Sequence, residues 1–537
     1  MSKLIETKID RFDGGIVNDP RDSREAIARI MSNFNTISSP HKMTPYRSSE
    51  TGDSDATNKR IENFVIARLN TDPDFAIYGL GTTAGTGIEI YYKDLTTGAA
   101  NDLDDGDWTE TANNSTAGAF NRNLFVYYPR TGYIYGSRAG THIFQYDPDG
   151  GTVLENTHQA LTHTHVGQGV VHSKDDILYI PYFNRPGPTA AIARNNNTTW
   201  NNTALTLPTH YIPTSICEYG NFLAIACAHR DGVSNSRVFL WDRNSSLTTI
   251  HESIDWGTGS LIILEEIDGE LIGISQKGGT GAGFADIPNG TAPHNDVVLF
   301  RKLIGNKAVK FLELRANHAS TRNTTQIGPH KQKVDNRLYF RMLIELNGSV
   351  RDGVWSIGRS SFDSPLALIH ERTSNNNTAL VTGDVIYGFL MVGDYLFQAQ
   401  QASGTYAMTK TDDSTTGFSH NSVYETKTFN GEQHGYDATY YKDLVEVSVM
   451  TEYMPTAGQI TLAYQINQNI GTSSWTTIFT NSTDNSISHT ANNVESGGTA
   501  LPKDYKEIAF RILSTGGAEV TGLSFREEVK EKRYVAD

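Results

Sequence analysis

The sequence predicts an all-β protein, a β-propeller of about seven blades that carries an extended N-terminal arm and a C-terminal β-sandwich. Seven times along the chain a short apolar strand follows a turn residue and is answered about 15 to 25 residues later by a second strand. A repeat of roughly 40 to 50 residues built only from strands marks a propeller, because one small antiparallel sheet cannot bury both faces until neighbours stack on it. Composition agrees: 48 Gly, 25 Tyr and 22 Phe with abundant Asn and Thr supply turns and strands, while helix-period stretches are nearly missing.

The arm, residues 1–60, has too few apolar residues for a core of its own and holds Pro20, Pro40, Pro45 and a turn at Gly14-Gly15. Such segments become ordered against a neighbour. It either closes the propeller by adding a strand to the last blade or reaches onto an adjacent subunit. The best helix candidate of the chain lies here, residues 22–31, with Ser23 as N-cap and Ala26, Ile27, Ile30 and Met31 as its apolar positions.

The propeller is expected over residues 61–420. Its repeating units begin at Asp74, Gly132, Asp176, Asn221, Gly269, Asn336 and Asp394, spaced by about 45 residues in the middle and more at the outer units, where loops are inserted. Small residues such as Ala224, Ala226, Gly273 and Ala399 suit crowded inner strands. The second strand often ends in a residue followed by Asp, as in Lys93-Asp94, Tyr146-Asp147 and Trp241-Asp242, where Asp caps the amides of a turn. The pair is similar to the Trp-Asp of WD-repeat propellers, although the full signature is absent. A polar run at 411–417 separates the propeller from residues 421–537. There Val445, Val447 and Val449 alternate with Glu446 and Ser448, and Gly458 precedes alternating Ile460, Leu462, Tyr464 and Ile466. Trp475, Ile478 and Phe479 add apolar mass for a sandwich core.

The net charge of −15 argues against a surface that holds nucleic acid or anionic lipid by bulk attraction, and leaves room for a local basic patch. The charged N-terminal residues predict no secretion signal, and no apolar run reaches the roughly 18 residues that span a bilayer, so synthesis in a cytoplasm without membrane insertion is expected. The two cysteines, Cys217 and Cys227, flank the turn at Gly220-Asn221, where Cys217 faces a residue near Ala224 and Cys227 one near Thr214; they read as small buried hydrophobes.

Chemistry is sparse. His158, His163, His165 and His172 fall in one segment, and His163 and His165, two apart, share a strand face that suits a metal held between chains; the competing reading is a hydrogen-bonded connecting loop, and no metal or other cofactor is expected. The acidic stretches 101–108 and 146–151 lack the spacing of a calcium loop and read as Asp/Gly turns. Glu265, Glu266, Asp268 and Glu270 share one hairpin, where alternation points Glu266 and Asp268 to one face, as an exposed edge rather than a glycosidase acid/base pair. The Gly-rich run 277–286 has no helix after it and does not suit a nucleotide. Tyr182, Phe183, Trp200, Tyr211 and Trp256 stand in or beside loops, where exposed rings would stack on sugars; the competing reading is core or inter-blade packing.

Both chain ends carry a resemblance. FDGGIVNDPRD (12–22), Ala28, Asn33 and HKMTPYR (41–47) resemble the opening of tailed-phage virion proteins. ETKTFN (425–430), the strand pair 444–467, Trp475 and the segment 506–528 resemble the small β-sandwich that ends such proteins. Together these stretches span about 140 of the 537 residues. The resemblance implies a non-enzymatic structural component of a phage tail, similar to the propeller-bearing nozzle proteins of short-tailed phages. It would be made in the host cytoplasm and reside in the virion, forming a homo-oligomeric ring, sixfold by analogy, that contacts other tail proteins and passes DNA without binding it specifically. The alternatives are a receptor- or glycan-binding tail-tip module and, further off, a propeller glycosidase.

Overall fold

A computed structural model describes residues 3–17, 27–36, 41–46, 49–51, 60–69, 75–82, 88–94, 108–114, 124–138, 140–184, 189–232, 234–244, 249–277, 297–316, 325–346, 349–360, 364–373, 385–393, 395–402, 405–411, 421–436, 438–470, 474–482, 487–492 and 500–530. The fold is an all-β propeller, with seven blades among the described residues, joined to a sandwich. Blades 1 to 7 occupy 60–114, 125–160, 165–207, 211–257, 260–315, 326–373 and 385–411. Each repeat unit seen in the sequence supplies the second and third strands of a blade, as in Phe222–His229 and Ser236–Trp241 of blade 4.

The hairpins explain why the repeat is so legible. Asp268 and Gly269, like Asp335 and Asn336, have positive φ at both turn positions. That backbone matches the twist of the flanking strands, and Asn, Asp and Gly tolerate it best. At the next corner the Asp residues cap as expected: Asp147 Oδ1 accepts the Asp149 amide at 3.1 Å and Asp242 Oδ1 the Asn244 amide at 2.9 Å. Ala224 and Ala226 are fully buried, and a Cβ on Gly273 would stand 2.5 Å from the Trp256 indole, so these inner strands have no room for larger side chains.

Three strands of the arm enter three different sheets. Ser49–Thr51 pairs antiparallel with Thr405–Thr411 and completes blade 7. Lys3–Ile9 pairs with Val520–Val529 at the edge of one sandwich sheet. Ala28–Ser32 lies between Ala367–Thr373 of blade 6 and Ser422–Thr426 of the other sandwich sheet. It thereby fuses blade and sandwich into one sheet of nine strands. All these pairings are within the chain, so the arm closes its own propeller. The helix expected over 22–31 is not formed where it can be seen: residues 28–31 are strand, and residues 22–26 lie outside the described part. The reason is non-local. Ile30 and Met31 are buried on opposite sides of a strand with partners along both edges, and those partners outweigh a weak helical period.

Within the sandwich, a bulge between Leu444 and Glu446 breaks the alternation read from the valines. Leu444, Val447 and Val449 are buried while Val445 is only half-buried. Ile460, Leu462 and Ile478 join the same core, which runs without a break from blades 3–6 into the sandwich. The two cysteines are buried and free; Cys217 faces Ala224, and Cys227 faces Pro213 beside a bulge, one position from the expected Thr214. Burial pushes both thiols well up.

Candidate functional site

Two polar clusters stand out against the apolar interior. The first joins blades 3 to 6. Lys331, on the inner strand Gln326–Val334 of blade 6, places Nζ 2.8 Å from the Ile216 carbonyl of blade 4 and 2.7 Å from Glu265 Oε2 of blade 5, and also donates to the Leu264 carbonyl. From blade 3, Gln168 reaches the Lys331 backbone, donating to its carbonyl at 3.2 Å and accepting from its amide at 3.4 Å. One lysine thus ties four blades together, with a carboxylate and two carbonyls in place of water around its head group.

This placement decides the reading of the acidic hairpin. Glu265 pairs with Lys331, Glu266 with Lys333 at 2.7 Å, and Glu270 with Lys302 at 2.8 Å and with Arg359. Glu266 is held below the usual carboxylate range by its bonds to Lys333 and the Gly269 amide, which outweigh a desolvation effect of opposite sign. Asp268 is in the turn. Each of the three glutamates pairs with a cation of blade 6, which is not the geometry of two carboxyls facing a sugar.

The second cluster lies where arm, blade 6 and sandwich meet. Arg29 Nη2 and Nε approach Glu425 Oε2 at 2.8 and 3.2 Å, and Arg511 Nε approaches Glu425 Oε1 at 2.8 Å. Trp475 stacks on both cations, with ring centroid 5.4 Å from the Arg29 guanidinium and 4.4 Å from that of Arg511. The tryptophan expected to be apolar filling is therefore half-buried and part of a charged junction. Sequence reasoning missed Arg29, Glu425 and Lys331. The one signal for Arg29 is a lone cation inside the apolar run Ile27 to Met31.

His163 and His165 are each 2 % exposed, inside the seam of blades 2 and 3, so neither offers a face to another chain. His163 Nδ1 lies 2.7 Å from the Leu161 carbonyl, and burial lowers both pKa values, that of His165 to about 3. His158 accepts the Trp200 indole N–H at 3.2 Å, and His172 is buried 3.8 Å from Asp175. Among the described residues no group of three His, Cys, Asp or Glu is placed to hold a metal. The sugar-stacking candidates are mostly internal: Tyr182, Phe183, Tyr211 and Trp256 are buried, and Trp200 is half-buried against Tyr135 at 5.8 Å. They fill blades because each stands on or beside a strand packed by its neighbour. Residues 101–107 and 278–286 lie outside the described part; Asp147 caps the turn of the other acidic stretch. Among the described residues no helix is long and apolar enough to cross a membrane.

Fold and clusters together define a class, an all-β protein whose propeller is bound to a sandwich by its own N-terminal arm. Solved structures similar to it include a β-propeller domain. The β-propeller domain of the trilobed protease from Pyrococcus furiosus is 11% identical, over 69% of this chain and 96% of that one, with a TM-score of 0.35. A protein from Lactobacillus plantarum is 11% identical over 66% and 91%, with a TM-score of 0.40. The exo-β-1,3-galactanase from Phanerochaete chrysosporium is 9% identical over 90% and 99%, with a TM-score of 0.30. No family model matches the chain, and no curated protein matches it in sequence.

Proposed function

We propose that the protein is a non-enzymatic structural subunit of a phage tail, a ring or nozzle-like component that forms part of the DNA-ejection conduit and contacts neighbouring tail proteins. The observation that carries this reading is that the two segments bearing the resemblance, far apart in sequence, pack as one unit. Met43 and Val520 exchange backbone hydrogen bonds at 2.8 and 3.1 Å, and Ala28 pairs with Thr426 in one sheet. Gly15, with φ of +73°, lies where a Cβ would be 2.7 Å from the Leu368 amide nitrogen, which gives the Gly-Gly turn a steric reason. A propeller braced in this way suits a load-bearing part. The net charge of −15 suits a conduit wall that repels passing DNA.

The test is the native mass of the full chain by light scattering, alone and with the other tail proteins of its virion. A closed ring of several copies, sixfold by analogy, is the expected result. A chain that stays monomeric and joins no tail assembly contradicts the reading.

A further inference from the structure

A cleft of about 500 Å³ opens at the seam of blades 4 and 5, on one face of the three strands Glu270–Lys277, Val297–Ile304 and Lys307–Arg315. Its floor is apolar, from Val297 and Leu299. Its polar lining is lopsided: Lys277, Arg301, Lys310 and Arg315 face the single carboxylate of Glu313, a local excess of three positive charges in a chain of net charge −15. The strand register gathers these groups, since Arg301 pairs with Lys310, Leu299 with Glu313 and Val297 with both Lys277 and Arg315. A bulge between Phe300 and Arg301 keeps the alternating residues on the cleft side.

Arg301 makes the cleft more than a charged surface. It is only 8 % exposed, and its guanidinium bonds are to neutral groups, the Thr258 carbonyl at 3.0 Å and Ser275 Oγ at 3.3 Å. Gly257 holds its flank, where a Cβ would lie 3.3 Å from the guanidinium. The nearby carboxylates are already engaged. Glu313 is gripped by Lys310 and by Arg315 Nε at 2.5 Å. Asp255 accepts the Asn235 amide at 3.0 Å on each oxygen and the Gly257 N–H at 2.8 Å. A buried guanidinium without a contacting counter-ion is costly, and a planar fork at the base of a cleft is the geometry that takes an oxyanion in two parallel bonds.

We propose that this cleft is a binding site for a multiply charged oxyanion, with Arg301 as the fork that grips it and Lys277, Lys310 and Arg315 as the surrounding charge. Phosphate and clustered carboxylate groups share that chemistry. The site is independent of the ring assembly and does not rest on it.

Isothermal titration of the full-length protein at low salt, with inorganic pyrophosphate and separately with citrate, tests the site. Saturable binding that weakens roughly tenfold or more in Arg301→Met, and falls with added salt, is expected. Pyrophosphate binding alone assigns a phosphate ligand, and citrate binding alone a carboxylate one. Should Arg301→Met fail to fold, the exposed pair Lys277→Gln and Arg315→Gln provides the same comparison without touching the interior. Failure of both anions to bind saturably, or binding that these variants leave unchanged, overturns the proposal.

Discussion

The Ser32 hydroxyl lies 3.0 Å from Nδ1 of His370, at the one register position where the arm strand Ala28–Ser32 runs parallel to the last strand of blade 6. On the far side of the ring, Nε2 is 3.3 Å from the Asp352 carbonyl, and the ring stacks on Trp355 at 4.5 Å. Burial lowers the His370 pKa to about 3, so the imidazole is neutral, donates from Nε2 and accepts the Ser32 proton at Nδ1. Ser32→Ala therefore leaves a buried acceptor unmet, and a loss of about 1–3 kcal/mol is expected from urea denaturation.

Acid should weaken the fold early. Burial lowers the pKa of His165 and His370 to about 3 and that of His330 to about 4. The unfolded chain takes protons at these rings below about pH 6.5, whereas the folded chain does not until pH 3 to 4. The stability is complete above pH 6.5 and drains away as pH falls, by up to about 1.4 kcal/mol per ring per pH unit. Thermal unfolding at pH 7.5 and pH 5 checks this, and equal midpoints would count against neutral buried rings.

Gly353 has no room for a side chain. A Cβ there would stand 1.9 Å from the Arg372 carbonyl oxygen and 2.5 Å from His370 Nε2. Gly353→Ala must push the last strand of blade 6 off its neighbour, at a cost of about 3 kcal/mol or more. A shift in the denaturation midpoint measures it.

Glu425 lies between two cations, and Arg29 is buried with it. Glu425→Gln strands Arg29 without a counter-charge, which typically costs about 3–5 kcal/mol. Near-wild-type stability of this variant would mean that water reaches the junction.

Lys331→Met should cost about 3 kcal/mol, because Glu265 and two backbone carbonyls lose their partner together. Its diagnostic is the pairing: adding Glu265→Gln to Lys331→Met should recover part of the loss, as a double-mutant cycle will show.

Deleting residues 1–51 removes a strand from blade 7, an edge from the sandwich and the strand between the two. The expected product is a chain that protease cuts between propeller and sandwich, rather than an intact single-copy protein. Resistance equal to the full chain would mean that the remaining core holds the two parts together.

The propeller was legible because its information is local. A turn such as Asp268-Gly269 fixes its own backbone, and the strands on either side pair with each other, so every blade repeats its pattern within one stretch of sequence. The Asp caps and the small inner residues follow from the same short-range geometry. The sandwich strands were visible by alternation until a bulge shifted the phase at Leu444.

Whatever depended on contacts between distant residues was decided by the tertiary structure alone. Ala28–Ser32 carries a weak helical period, yet it is a strand because Thr426 and His370, hundreds of residues away, offer both of its edges partners. Glu265 and Glu266 become ion pairs only because Lys331 and Lys333 arrive from the next blade, and His163 and His165 are internal because two blades close over them. A side chain's type and spacing record what it is able to do, while burial and counter-charge, which determine what it does, are set by the packing of segments that the sequence does not place side by side.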